Sequence, residues 1–272
     1  MPVPELTPLV TLMLLSFGTM IALMFLVWLL SRKLNNAGIV DVAWGFGFVI
    51  IALIDFIWAY FHGWGWLPRN LVVLAMVALW SLRLGIFLAM RFKRMWPAED
   101  ARYTTYRQAW KNPQLGLLLA FEMQAVLLAA LTLPYALAMV SAVAQFSIFE
   151  LSGIALFLIA LIGESVADHQ LETFKKNSAN HGQVCQSGLW YYSRHPNYFF
   201  EWMVWLAFFV FSLAFPYGWS TFYCPILMLW FLLKVTGVKA TEEQALRSKG
   251  EAYAAYQRTT SAFVPWFKKG VT

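Results

Sequence analysis

The chain has 272 residues, of which 60% are hydrophobic and only 12% charged, with 14 Trp and 23 Phe; an ordinary soluble domain is about 45–50% apolar and about 25% charged. No soluble fold hides that much apolar surface, so a secreted disulfide scaffold, a disordered chain and a soluble enzyme are excluded, and an all-α polytopic membrane protein is expected. The net charge of +6 then reads as an orientation signal before it reads as a nucleic-acid footprint.

A spanning helix needs about 20 mostly apolar residues. Seven segments qualify, at 7–31, 39–60, 70–92, 117–145, 149–174, 197–215 and 219–237. No basic region precedes the first, which reads as a retained span rather than a cleaved signal. The Lys/Arg bias puts the N-terminus outside and the C-terminus in the cytoplasm. Arg32, Lys33, Arg91, Lys93, Arg94, Arg102, Arg107, Lys111, Lys175, Lys176, Arg194 and the tail from Lys234 to Lys269 then fall inside, and Arg69 falls outside. Polar material gathers in three cytoplasmic segments, 93–116, 175–196 and 238–272, where a site for a charged cytosolic molecule would be built. With no repeat or linker, the chain reads as one transmembrane domain over 1–272.

Cys185 and Cys224 read as unpaired thiols. His62, His169, His181 and His195 have no partner at metal-ligand spacing, so no metal is expected. Gly45-Phe-Gly47 lacks the third glycine and the strand of a dinucleotide fingerprint and reads as close helix packing.

An ionisable group inside a span points to function. In span two Asp41 and Trp44 share a helix face at i, i+3, after Asn35-Asn36. Either Asn36 caps the helix and Asp41 favours its positive end, or the pair lines a polar intramembrane cavity. Asp55 reads as a solvated residue near the outer interface. Arg83, in the middle of span three, needs Asp41, Glu122 or a ligand as partner. Glu164 and Asp168 stand one turn apart on span five, in a ladder that continues through Glu172 to Lys175.

The richest stretch is Gly188-Leu-Trp-Tyr-Tyr-Ser-Arg-His-Pro-Asn-Tyr-Phe-Phe-Glu201. His195 before Pro196 favours extended backbone, and Pro196 suits a first helical turn. A helix should therefore start near Asn197 with its free N–H groups at the cytoplasmic boundary. Arg194 and His195 beside such an end make a phosphate seat. Trp190, Tyr191, Tyr192 and Tyr198 offer faces for a ring, and Asn197 and Glu201, at i, i+4, can hydrogen-bond an amide or a ribose.

Arg194-His-Pro-Asn-Tyr198, Glu201 and the tail Tyr256-Gln-Arg-Thr-Thr-Ser-Ala-Phe-Val-Pro-Trp266 resemble the steroid 5α-reductase C-terminal family, and the chain looks like a bacterial member. Asn36…Asp41-x-x-Trp44-Gly45, Glu99-Asp100-x-Arg102-Tyr103 and Gln170-Leu-x-x-Phe174-Lys175 match as well. The resemblance is strongest from about 160 to 267. Isoprenylcysteine methyltransferases, which use S-adenosylmethionine, share a similar Arg-His-Pro core and supply the alternative.

The resemblance implies NADPH-dependent reduction of a carbon–carbon double bond conjugated to a ketone, as in a 3-oxo-Δ4 steroid. A lipidic substrate would come from the bilayer, with no nucleic acid and no obligatory protein partner, in a bacterial inner membrane. Residues 1–145 would form the substrate half and 146–272 the cofactor half, facing the cytoplasm. Carried over by position, Glu164, Asp168, Lys175, Trp190, Tyr191, Arg194, His195, Asn197, Tyr198, Glu201, Lys239, Glu243 and Arg247 would meet the cofactor. The family uses a Glu and a Tyr on early helices to polarise the ketone. Trp80 falls near the expected Tyr, and Asp41, Trp44, Arg83, Glu122 and Gln124 are the polar groups available.

Overall fold

The computed structural model describes residues 6–235 and 237–268. Thr236, in the last expected span, and Lys269, in the basic tail, lie outside them. The described chain is overwhelmingly helical, as it must be where lipid offers the backbone no hydrogen bonds. Six segments are long and apolar enough to cross a membrane: Leu6–Leu34, Ile39–Phe61, Leu67–Met95, Pro113–Val140, Ile148–Lys176 and Gly218–Lys249. They mark an integral membrane protein. The chain divides into two compact units, one running to Phe146 and taking in Phe215–Gly218, the other made of Ser147–Ala214 and the chain from Trp219 onward.

The first unit holds α1 (Leu6–Leu34), α2 (Ile39–Phe61), α3 (Leu67–Met95), α4 (Ala101–Ala109), α5 (Pro113–Leu131) and α6 (Leu133–Val140). Helices α2 and α3 meet glycine to glycine: a Cβ on Gly45 would lie 2.6 Å from Gly85 Cα. That approach lets Ser81 reach into α2. Its hydroxyl donates to Gly45 O at 2.6 Å and accepts from the Val49 N–H at 3.0 Å. A hydroxyl from α3 therefore occupies one i, i+4 rung of α2. Gly45→Ala pushes a methyl into the Gly85 backbone and should cost about 1–3 kcal/mol. A thermal midpoint equal to wild type would show that the two helices separate freely there.

Two expectations change in this unit. The span expected over 117–145 breaks at Thr132 and leaves the helix after Val140, because Pro134 has no N–H to return to Ala130 and crowds that carbonyl. Asp55 is not solvated. It is fully buried, because its face of α2 packs on α1, where Ser16 Oγ donates to Asp55 Oδ2 at 3.0 Å. Arg69 is 1% exposed; its guanidinium donates to Ser141 O at 2.9 Å and Gln145 O at 2.8 Å, holding the segment that follows α6.

The second unit holds α7 (Ile148–Lys176), α8 (Leu189–Tyr192), α9 (Pro196–Ser212), α10 (Tyr223–Trp230), α11 (Val238–Lys249) and α12 (Glu251–Thr259). A capping box starts α7: Ser147 Oγ accepts from Glu150 N–H at 3.3 Å, and Glu150 Oε2 accepts from Ser147 N–H at 2.7 Å. Helices α7 and α9 are in close contact, a Cβ on Gly153 falling 2.8 Å from Phe211 N. The segment expected over 197–215 is the 17-residue α9. The one expected over 219–237 is composite: a 3₁₀ turn at Gly218–Phe222, then α10, then a π-helical turn at Phe231–Val235. Beyond α12 the tail folds back beside the loop before α9. Arg194 N–H donates to Ser261 O at 2.8 Å, Ser193 Oγ to Phe263 O at 2.8 Å and Trp266 N–H to Tyr192 O at 2.9 Å.

Candidate functional site

At the start of α9 Pro196 opens the helix as expected, whereas His195, with φ −138° and ψ 59°, is neither helical nor fully extended. The charged groups are arranged differently from the expected phosphate seat. Arg194 Nε donates to Glu242 Oε1 at 2.6 Å, and its Nη1 donates to Gln257 O at 2.9 Å and Thr260 O at 2.6 Å. His195 Nε2 lies 3.1 Å from the same Glu242 Oε1, a contact that places the proton on Nε2. Gln257 Nε2 donates to Glu242 Oε2 at 2.7 Å. The Tyr198 ring stacks on His195 with 5.3 Å between centroids, and its hydroxyl shares a hydrogen bond with Thr241 Oγ1 at 3.2 Å. Arg194 is therefore turned onto the tail, and Glu242 is the hub that pins α11 and α12 to the head of α9.

Tyrosines close the underside of this hub. Tyr256 Oη is hydrogen-bonded to Trp190 O and Ser193 O. Burial, then the Glu242 charge, pushes the Tyr253 hydroxyl up from its ordinary pKa, and burial, then Tyr253, does the same to Tyr256. Both stay protonated, and Tyr256 donates to those carbonyls.

Beneath the hub lies a second group. Asn197 Nδ2 donates to Asp168 Oδ1 at 3.2 Å. Asn197 Oδ1 is buried and accepts no hydrogen bond. One turn deeper on each helix stand Glu164, 4% exposed, and Glu201, 8% exposed; Glu201 Oε1 accepts from Trp205 Nε1 at 3.3 Å. Asp168 of α7 and Asn197 of α9, each expected to meet the cofactor, thus touch one another.

Other expected residues stand apart. Trp190 is buried, and its Nε1 donates to Ala167 O at 2.9 Å, so its ring fills the packing under α7 instead of offering a shelf. Tyr191 is exposed, with Lys268 Nζ 4.5 Å from its ring centre. Lys175 is exposed at the end of α7. Lys239, Glu243 and Arg247 form an exposed stripe on α11. Glu242, one position and about 100° round the helix from Glu243, is the residue that reaches inward. The signal for it is Val238, Glu242, Ala245 and Lys249, an i, i+4, i+7, i+11 row that is less exposed than its neighbours.

The first unit gathers a polar cluster of its own. Asp41 Oδ2 accepts from Arg102 Nη2 at 2.6 Å and Oδ1 from Tyr103 Oη at 2.8 Å. Asp41 thus pairs with Arg102, not with Arg83, because the turn after α3 folds Glu99–Tyr103 over the head of α2. Asn36 Nδ2 donates to Ala98 O at 3.2 Å, and Ala37 N–H to Glu99 Oε1 at 2.7 Å. Asp100 caps α4 through Arg102 N–H at 3.0 Å and pairs with Arg91 at 2.8 Å. Burial alone would raise the Asp100 pKa, but the Arg102 hydrogen bonds and the Arg102 and Arg91 charges outweigh it and hold the carboxyl below its usual range. A cavity of about 20 Å³, lined by Asn36, Asp41, Arg91 and Asp100 among others, has room for one water.

Trp80 is 1% exposed against Phe48, which also meets Trp44 edge-on at 5.6 Å. Arg83, Glu122 and Gln124 are half-buried, and Glu122 Oε2 is buried without a hydrogen-bond partner. Arg102, Tyr103 and Glu242 are the residues that sequence reasoning did not place in a site. The first two stood in a quoted motif, and their meeting with Asp41 is a tertiary contact with no local signature. Among the described residues, no three His, Cys, Asp or Glu side chains gather as metal ligands.

Neither a curated protein nor a solved structure matches the chain. One family profile does, over residues 27–260, a stretch that contains both the Asp41–Arg102–Tyr103 cluster and the Glu242 hub. The chain belongs to that family, described as "Protein of unknown function (DUF1295)".

Proposed function

We propose that the chain is a membrane reductase that uses NADPH to saturate the double bond of an enone lipid, such as a 3-oxo-Δ4 steroid. Its motifs resemble the steroid 5α-reductase C-terminal family. The observation that carries the reading is Asn197: an amide oriented by Asp168 at 3.2 Å, with a buried oxygen left to accept from a ligand. A buried acceptor without a partner costs about 1–3 kcal/mol, and the carboxamide N–H of a nicotinamide would relieve it. Arg194, His195 and Glu242 hold the tail helices against this end of α9 and so keep the amide in place. The bound cofactor would supply the hydride.

The topology we infer has seven spans, an outer N-terminus and a cytoplasmic tail. In it α9, whose 17 residues give about 25 Å of rise, is the short seventh member, at the lower limit for a crossing. Detergent-purified protein should gain thermal stability with NADPH at millimolar concentration and should consume NADPH only when an enone lipid is present. A shift with S-adenosylhomocysteine and none with NADPH would transfer the chain to the methyltransferase class.

A further inference from the structure

We propose that the tail carries a binding site for the headgroup of an anionic phospholipid, on a surface separate from the Asn197 amide. The site is a groove of about 400 Å³ in the second unit, lined by Arg194, Gln257, Arg258, Thr260, Val264 and Trp266 among others. Its lining residues include two arginines and no Asp or Glu. Its rim is apolar and open: Val264 is 51% exposed, Trp266 68% and Phe267 73%. In water such a rim is unfavourable, whereas Trp and its neighbours settle at the headgroup level of a bilayer.

The position fits that depth. Ser193 and Ser261 form a parallel bridge, and Trp266 N–H is tied to Tyr192 O at 2.9 Å, so the rim lies beside the residues that lead into α9. On the topology inferred above, that is the membrane–cytoplasm boundary. The groove is also preformed, because the tail backbone is held at three points before any ligand arrives.

The cation is available to an anion. Arg258 Nη2 pairs with Glu251 at 2.5 Å, but the two side chains are 63% and 78% exposed. A pair that exposed is worth little, and a phosphodiester with acyl chains on the aromatic rim displaces Glu251 easily. Arg194, by contrast, is only 10% exposed and is committed to Glu242; it contributes field at the floor of the groove, while Arg258 makes the contact.

Native mass spectrometry of the full chain, titrated with phosphatidylglycerol and phosphatidylcholine, tests this. Phosphatidylglycerol adducts should form preferentially, and Arg258→Gln should weaken them about fivefold, the worth of one cation at an anionic surface. Trp266→Ala, whose backbone bond to Tyr192 survives, should weaken both lipids. Neither change should alter NADPH binding, so a failure here is distinguishable from a failure of the reductase reading. Equal binding of the two lipids, full preference in Arg258→Gln, or equal occupancy by inorganic phosphate would overturn the proposal. So would a loss of NADPH affinity in Arg258→Gln with lipid adducts intact, which would give the groove to the dinucleotide.

Discussion

Glu242→Ala is expected to destabilise the protein by about 3 kcal/mol, the lower end of the range for removing one partner of a buried ion pair. Glu242 is 14% exposed and Arg194 10%, so water replaces the carboxylate only in part, which keeps the cost at the lower end of that range. Three groups lose it at once: Arg194 Nε at 2.6 Å, His195 Nε2 at 3.1 Å and Gln257 Nε2 at 2.7 Å. The guanidinium keeps the carbonyls of Gln257 and Thr260 but no counter-charge. The thermal midpoint should fall by roughly 2–4 °C per kcal/mol for a chain of this size. Because Glu242 ties α11 and α12 to the head of α9, the loss should also be local: trypsin should cleave faster after Arg247, Lys249 and Arg258 than at Arg32 or Arg91. Glu242→Gln, which keeps the shape and one acceptor, should fall between. A wild-type midpoint and an even cleavage pattern in Glu242→Ala would show that the hub is ornamental.

How far the sequence carries can be seen at particular residues. The spans were legible because the hydrocarbon sets their length and polarity, and α1, α2, α3 and α7 lie within a few residues of their expected bounds. Pro134 was legible in principle, and its break in the fourth span was passed over because hydropathy averages across it. The start of α9 followed from the order His195-Pro196-Asn197, a purely local rule. The partners of Arg194 did not follow. A cation next to a helix N-terminus has the same local appearance whether it faces a phosphate or a carboxylate that arrives 48 residues later in the chain. Asp41 shows the same limit: its place at the head of α2 was readable, but Arg102 and Tyr103 reach it through the turn after α3, 61 and 62 residues on. Asp55 shows the opposite error, in which nearness to a span end was equated with access to water.

These contacts suggest a division of labour within the second unit. Charges close to the tail are paired with each other and serve to hold it, so their removal acts on stability. On the proposed reading Asn197, whose Oδ1 keeps an open hydrogen-bonding position, serves a ligand, so its removal acts on affinity. Glu242 and Asn197 sit on opposite sides of that line, although they are brought to the same end of α9.

Asn197→Ala should therefore behave unlike Glu242→Ala. It removes one donor to Asp168 at 3.2 Å and also removes an acceptor that the unliganded protein leaves buried without a partner. The two effects oppose each other, and each is on the order of 1 kcal/mol, so the apo midpoint should move little. Affinity for NADPH should fall by roughly ten- to a hundredfold, the worth of a buried hydrogen bond that the ligand can no longer make. Asn197→Asp separates geometry from charge. It keeps the acceptor but replaces the donor facing Asp168 with a second carboxylate, and like charges that close are repulsive. That variant should lose both stability and affinity, with the stability loss largest above the carboxylate pKa values and smaller in acid. If Asn197→Ala bound NADPH as tightly as wild type while Glu242→Ala unfolded as expected, the dinucleotide would lie elsewhere in the chain and the open amide would belong to another ligand.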